Sequence, residues 1–250
     1  MTERYGDHDY WNERYELSDC PFDWMCSYDD LAPNLRMVLP SAHTMPSILV
    51  VGCGDAPFSA DLYLDGYRNT LNVDYSDVVI RKQRGRFPFL ENNFQVMNCL
   101  DMKEIDDDTF DAVIDKSLID TTMCYANGHD TTMQLYRELS RVLRPGGRLI
   151  TISLHREIEV LPYGIDNPAC SFAASSCALA GTRENDTCYS FCVFDKLDGC
   201  DAETAAVISS VHPIEFIDAV SWDSRGENEK ESNGFIDELL VSFNYALEAI

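Results

Sequence analysis

Gly52 and Gly54 flank Cys53 directly after the apolar run Ile48–Val51, and Asp74 closes a second apolar run 20 residues beyond Gly54. Glycine at a strand's end lets a ligand approach bare backbone, and a helix that follows offers unbonded N–H groups. A carboxylate at the tip of the neighbouring strand can accept both hydroxyls of a ribose. The pair points to a nucleotide-like ligand, whereas the glycines alone also fit a tight strand-to-helix turn. Asp101 falls in a later loop, and Asp115, Lys116 and Asp120 gather after another apolar run. That is the crevice at strand ends where open α/β sheets bind ligands.

A dinucleotide site would show G-x-G-x-x-G to seat a pyrophosphate, and here Pro57 stands in the last glycine's place. The substitution speaks against NAD or FAD and suits a ligand without phosphates. S-adenosylmethionine, with its ribose, adenine and charged amino-acid tail, is such a ligand.

These residues need a scaffold, and apolar patterning supplies one. Strands are expected over 48–51, 70–73, 94–97, 110–114 and 148–153, with helices over 58–64, 76–86 and 131–143. The alternation argues for a mostly parallel sheet with helices on both faces, and runs such as ILVV and DAVI suit strands covered on both sides. Pro145-Gly146-Gly147 ends the last helix and hands the chain to the next strand. Before this unit lie two helical patterns, 10–17 and 24–39, broken by Cys20-Pro21. After it, β-like runs over 171–179 and 188–194 flank a polar turn, which predicts a hairpin. The pattern weakens beyond 195 and closes on a short amphipathic helix over 235–249. The expected organisation is an amino-terminal helical cap over 1–46, a Rossmann-like α/β core over 47–196, and an extension of the same domain over 197–250.

Charge narrows the partners. Nineteen Lys and Arg against 43 Asp and Glu give a net charge of −24. Such a surface repels nucleic acid and anionic membranes and attracts basic proteins, although the same acids also serve solubility alone. No apolar run approaches the length of a bilayer span, so a cytoplasmic protein is expected. The ten cysteines form no C-x-x-C pair and no zinc-like spacing with histidine, so no metal is expected. Cys53, Cys99, Cys124, Cys188 and Cys192 fall in apolar segments and read as buried free thiols.

The order of motifs is more specific than any one of them: GCG, VDYS over 73–76, NCLDM over 98–102, FDAVIDKSLID over 110–120 and LRPGG over 143–147. Together they resemble the class I S-adenosylmethionine-dependent methyltransferases, whose fold implies a seven-stranded sheet. With Tyr10, Trp11, Arg14 and Tyr15 and with Pro21 to Trp24, the chain is similar to the eukaryotic lysine methyltransferases that modify translation elongation factor 1-alpha. The resemblance spans roughly residues 10–196.

It implies a set of roles. Gly52 and Gly54, with Cys53 between them, would line the methionine tail; Asp74 would hold the ribose and Tyr75 cover the adenine. Asp101 would accept from the adenine amino group beside the Met102 backbone. Trp11 and Tyr15 would lie over the cofactor, where aromatic faces suit a sulfonium, or would only anchor the cap. Lys116 would lie near the cofactor, and Asp115 or Asp120 would orient an acceptor amine or take its proton. Where the family has K-G-T-L-D, this chain has Lys116-Ser117-Leu118-Ile119-Asp120, so the substrate loop has lost a glycine. Lysine methylation of a basic protein is therefore weighed against methylation of a small molecule and against a non-catalytic binding or assembly subunit.

Overall fold

The computed structural model describes residues 4–18, 20–181 and 188–198, so the residues expected to form the hairpin turn and the carboxyl-terminal helix lie outside the described residues. The chain begins with α1 (His8–Leu17) and α2 (Tyr28–Val38), followed by β1 (Ile48–Val51), α3 (Phe58–Leu64), β2 (Thr70–Asp74), α4 (Asp77–Arg86) and β3 (Phe94–Val96). Then come β4 (Phe110–Lys116), α5 (Leu118–Met123), α6 (Gly128–Val142), β5 (Leu143–Ser153), α7 (Glu157–Ile165), β6 (Phe172–Gly181) and β7 (Cys188–Lys196). The strands form one seven-stranded sheet in the order β3-β2-β1-β4-β5-β7-β6, parallel through β5 and antiparallel in the β6–β7 hairpin.

Register decides where the chemistry lands. Val51 pairs with Val73 on one side and with Asp115 on the other. The carboxyl ends of β1, β2 and β4 therefore stand level, and Gly52, Asp74 and Lys116 leave the sheet along one edge. Side chains alternate along β1, with Ile48 and Val50 entering one core cluster and Leu49 and Val51 the other. The first cluster also holds Leu31 and Leu35 of α2, so the amino-terminal helices pack on the sheet itself. Arg148 of β5 reinforces that contact, donating to the Val38 carbonyl at the end of α2 (2.8 Å) and to Asp195 of β7 (2.8 Å).

Several boundaries moved for identifiable reasons. The second cap helix starts at Tyr28 instead of 24 because Ser27 and Asp30 close a capping box there. Strand β5 begins at Leu143, with the Pro-Gly-Gly segment inside its range and a register shift opposite Phe110 and Ala112. Helices α5 and α7 were not expected from the sequence. Cys53 and Cys99 are buried free thiols, and Cys124 is free but only half-buried. Cys192 is a correction: it is disulfide-bonded. Apolar surroundings do not reveal a disulfide; Cys188, expected with it as a buried free thiol, has a side chain outside those described. No described helix is long and apolar enough to cross a membrane.

Candidate active site

The chain leaves β1 through two left-handed glycines, Gly52 (φ +58°) and Gly54 (φ +56°). A Cβ on Gly52 would stand 3.1 Å from the Leu118 Cβ, so both the backbone and a neighbour demand glycine. The Cys53 N–H donates to the Val73 carbonyl (2.9 Å), drawing the turn over the end of β2. There Asp74 Oδ2 accepts the Gly54 N–H (3.1 Å) and Oδ1 accepts the Ser76 N–H (3.0 Å). Burial pushes the Asp74 carboxyl up to about 6, against the pull of those two N–H groups. Each oxygen has a second lone pair with which to receive a hydroxyl.

This turn forms one wall of a deep cavity. Trp11 and Tyr15 of α1 and Trp24 of the strap that follows line its cap side, and Tyr75 and Leu100 line the sides beyond β2 and β3. Hydrogen bonds from two sides fasten the strap, beside its ring contacts with Trp11 and Arg14. The Phe22 N–H donates to Asp55 Oδ1 (3.1 Å), and Lys116 Nζ donates to Asp23 Oδ1 (2.6 Å) and to the Trp24 carbonyl (2.5 Å). Lys116 lines the cavity as a cap fastener, with its ammonium 6.0 Å from the centre of the Phe58 ring.

Asp115 and Asp120 fall into different places. Asp115 does not line the cavity; its Oδ1 accepts the Leu118 and Ile119 N–H groups (2.9 and 3.3 Å) and caps α5. Burial and the nearby Asp120 charge push its carboxyl up to about 8. Asp120 does line the cavity, buried, with Oδ1 accepting Ser153 Oγ (2.7 Å) and the Leu154 N–H (3.0 Å). Its buried Oδ2 has no hydrogen-bond partner among the described residues.

Asp101 and Met102 are not brought to the cavity. Asp101 points to solvent and pairs with Lys103 (2.6 Å), while Met102 is buried in the core behind β3. The loop is turned that way by α6: Gln134 donates to the Leu100 carbonyl, Glu138 accepts the Met102 N–H and Arg141 donates to the Met102 carbonyl. Asn98, Cys99 and Leu100 face the cavity instead. Trp24 and Tyr125 also line it. For Trp24 the signal was available in the aromatic strap motif beside Pro21; Tyr125 follows a helix that the sequence does not announce.

Residues 49–151 match the model of the methyltransferase domain family. They form a class I methyltransferase domain. Its cofactor is S-adenosylmethionine, and the site fits that molecule: a glycine turn that admits no Cβ, a buried carboxylate at the end of β2, and a wall whose only lysine among the described residues is already paired to an acid. A phosphate would find no free cation among these residues. The chain is 30% identical over 163 residues to "EEF1A lysine methyltransferase 4" of Mus musculus, covering 60% of this chain and 62% of that protein. It is 31% identical over 165 residues to "eEF1A lysine and N-terminal methyltransferase" of Homo sapiens, covering 61% of this chain and 22% of that one. The chain thus spans about three fifths of the first relative and about a fifth of the second. Among solved structures it resembles the N-methyltransferase NodS of Bradyrhizobium japonicum with S-adenosyl-L-homocysteine, at a TM-score of 0.57 and 15% identity, covering 75% of this chain and 97% of that one.

Proposed function

We propose that this methyltransferase domain methylates the side-chain amine of a lysine on a protein substrate, with translation elongation factor 1-alpha the acceptor to test first. One observation carries the reading: Asp120 lines the cavity and keeps one buried carboxylate oxygen, Oδ2, without a donor among the described residues. Such an atom is costly to leave alone, and an alkylammonium brings both the N–H and the opposite charge. The names of its lysine methyltransferase relatives agree with it, and a net charge of −24 would steer a basic protein toward this surface.

The cofactor supplies a methyl group on a sulfonium, open to direct displacement. What falls to the chain is alignment, exclusion of water and one proton. Gly52, Cys53 and Gly54 would hold the amino-acid tail, Asp74 the ribose, and Tyr75 and Leu100 the adenine, under Trp11 and Tyr15. A lysine of ordinary pKa near ~10.4 must shed a proton before its nitrogen has a lone pair. Asp120 would orient that nitrogen and receive the proton at Oδ2, and partial burial favours the neutral amine. Asp115 serves by capping α5 and so fixing Asp120, and Lys116 by holding the strap.

The test is to incubate the chain with radiolabelled S-adenosylmethionine, purified elongation factor and cell extract. Label is expected on lysine of a discrete protein band, and Asp120→Asn should lower kcat by about 10²–10³ while cofactor affinity holds. Label confined to the low-molecular-weight fraction, or full activity in Asp120→Asn, refutes the reading.

A further inference from the structure

Three consecutive carbonyls of the glycine turn are held by side chains of one helix. Gln83 Nε2 donates to the Gly54 carbonyl (2.9 Å) and to the Ala56 carbonyl (2.8 Å), and Arg86 Nη1 donates to the Asp55 carbonyl between them (2.5 Å). Gln83 is fully buried, on the face of α4 that also buries Val79 and Ile80. An apolar residue would satisfy that packing. The amide instead uses both of its hydrogens on the turn and leaves its own Oε1 buried without a partner among the described residues. Because the two acceptors are carbonyls, the NH₂ must face them, which fixes the amide's orientation. A buried acceptor left unsatisfied is unfavourable and calls for a compensating role.

Peptide geometry suggests that role. Across a trans peptide the N–H of the next residue points opposite to the carbonyl. Carbonyls 54 and 55 drawn toward α4 therefore direct the N–H groups of Asp55 and Ala56 away from α4, and both residues line the cavity. The geometry points to Gln83 as a positioning residue that sets the glycine turn to bind the carboxylate of the cofactor's amino-acid tail. This rests on the S-adenosylmethionine reading of the site and adds a residue that touches neither cofactor nor acceptor.

Calorimetry with two ligands tests it. S-adenosylhomocysteine carries the tail carboxylate; 5′-methylthioadenosine shares the nucleoside and lacks the tail. Gln83→Met keeps the length and apolar packing of the side chain and removes both donors. It should weaken S-adenosylhomocysteine about tenfold, close to the loss of one net hydrogen bond, and leave methylthioadenosine within about twofold of the parent chain. Gln83→Glu retains size and polarity but sets an acceptor against the carbonyls, and should show the same selective loss at least as strongly. Equal affinity for S-adenosylhomocysteine in both variants, or an equal loss for both ligands, overturns the assignment. If the parent chain binds neither ligand, the cofactor reading falls, and the role of Gln83 falls with it.

Discussion

Replacing Lys116 by methionine separates a fastening role from a chemical one. The ammonium sits almost wholly inside the protein, 2.6 Å from Asp23 Oδ1 and 2.5 Å from the Trp24 carbonyl, and the Asp23 side chain is only 23% exposed. Burial already raises the Asp23 carboxyl, and the Lys116 charge is what pulls it back down. Lys116→Met strands that carboxylate. Removing one partner of a buried pair costs about 3–5 kcal/mol, and some hydration of Asp23 places the cost at the lower end, about 3 kcal/mol. For a chain of this size each kcal/mol moves Tm by about 2–4 °C, so a fall of about 6–12 °C is expected by differential scanning fluorimetry. Adding Asp23→Asn should recover part of that loss, because the double variant buries no unpaired charge. A Tm within about 2 °C of the parent, or a double variant less stable than Lys116→Met, would show that the strap is not held in this way. Methyl transfer surviving in the double variant would assign Lys116 to fastening alone.

Two further outcomes follow from the glycine turn and its carboxylate. On the proposed reading Asp74 accepts ribose hydroxyls, which its ionised form does best. With its carboxyl raised to about 6, cofactor affinity should be level above that pH and fall by up to about tenfold per unit below it, measured by calorimetry from pH 8 to pH 5. The same raised value means that this group favours folding most below its unfolded pKa of about 3.9 and loses that favour as pH rises through 6, so its burial costs stability at neutral pH. Gly52→Ala forces a side chain into φ +58° against Leu118 and should lower cofactor affinity at least about tenfold, at a strain of roughly 1–2 kcal/mol. Gly85→Ala in α4, where a Cβ meets nothing within 4 Å, is the matched control and should leave binding unchanged.

The sheet was legible in the sequence because its central strands are buried on both faces. ILVV over Ile48–Val51 admits little other reading, and the spacing from Gly54 to Asp74 encodes one crossover between adjacent parallel strands. Helix α5 was hidden: Leu118–Met123 is short and contains two β-branched threonines, and it is sustained by the Asp115 cap and the burial of Ile119. Helix α7 carries Pro162 and Gly164, which read locally as breakers. Loop side chains were least legible. The motif order points to the loop over residues 98–102, and which of them face the cavity depends on Gln134, Glu138 and Arg141 of α6, some 35 residues away in the chain. Gln83 illustrates the same limit from the other side, since nothing in its local sequence marks it as a partner of Gly54.

Leu31 and Leu35 share one apolar cluster with Ile48, Val50 and Ile114, and Arg148 joins the end of α2 to β5 and β7. The helices ahead of the first strand are thus one face of the interior, not an ornament laid on a finished fold. Amide exchange in those helices should track the global opening of the central strands, and a chain started at residue 47 would bare the apolar residues of that face which they cover. Evolutionary change in the roof over the cofactor is bound to the packing of the floor.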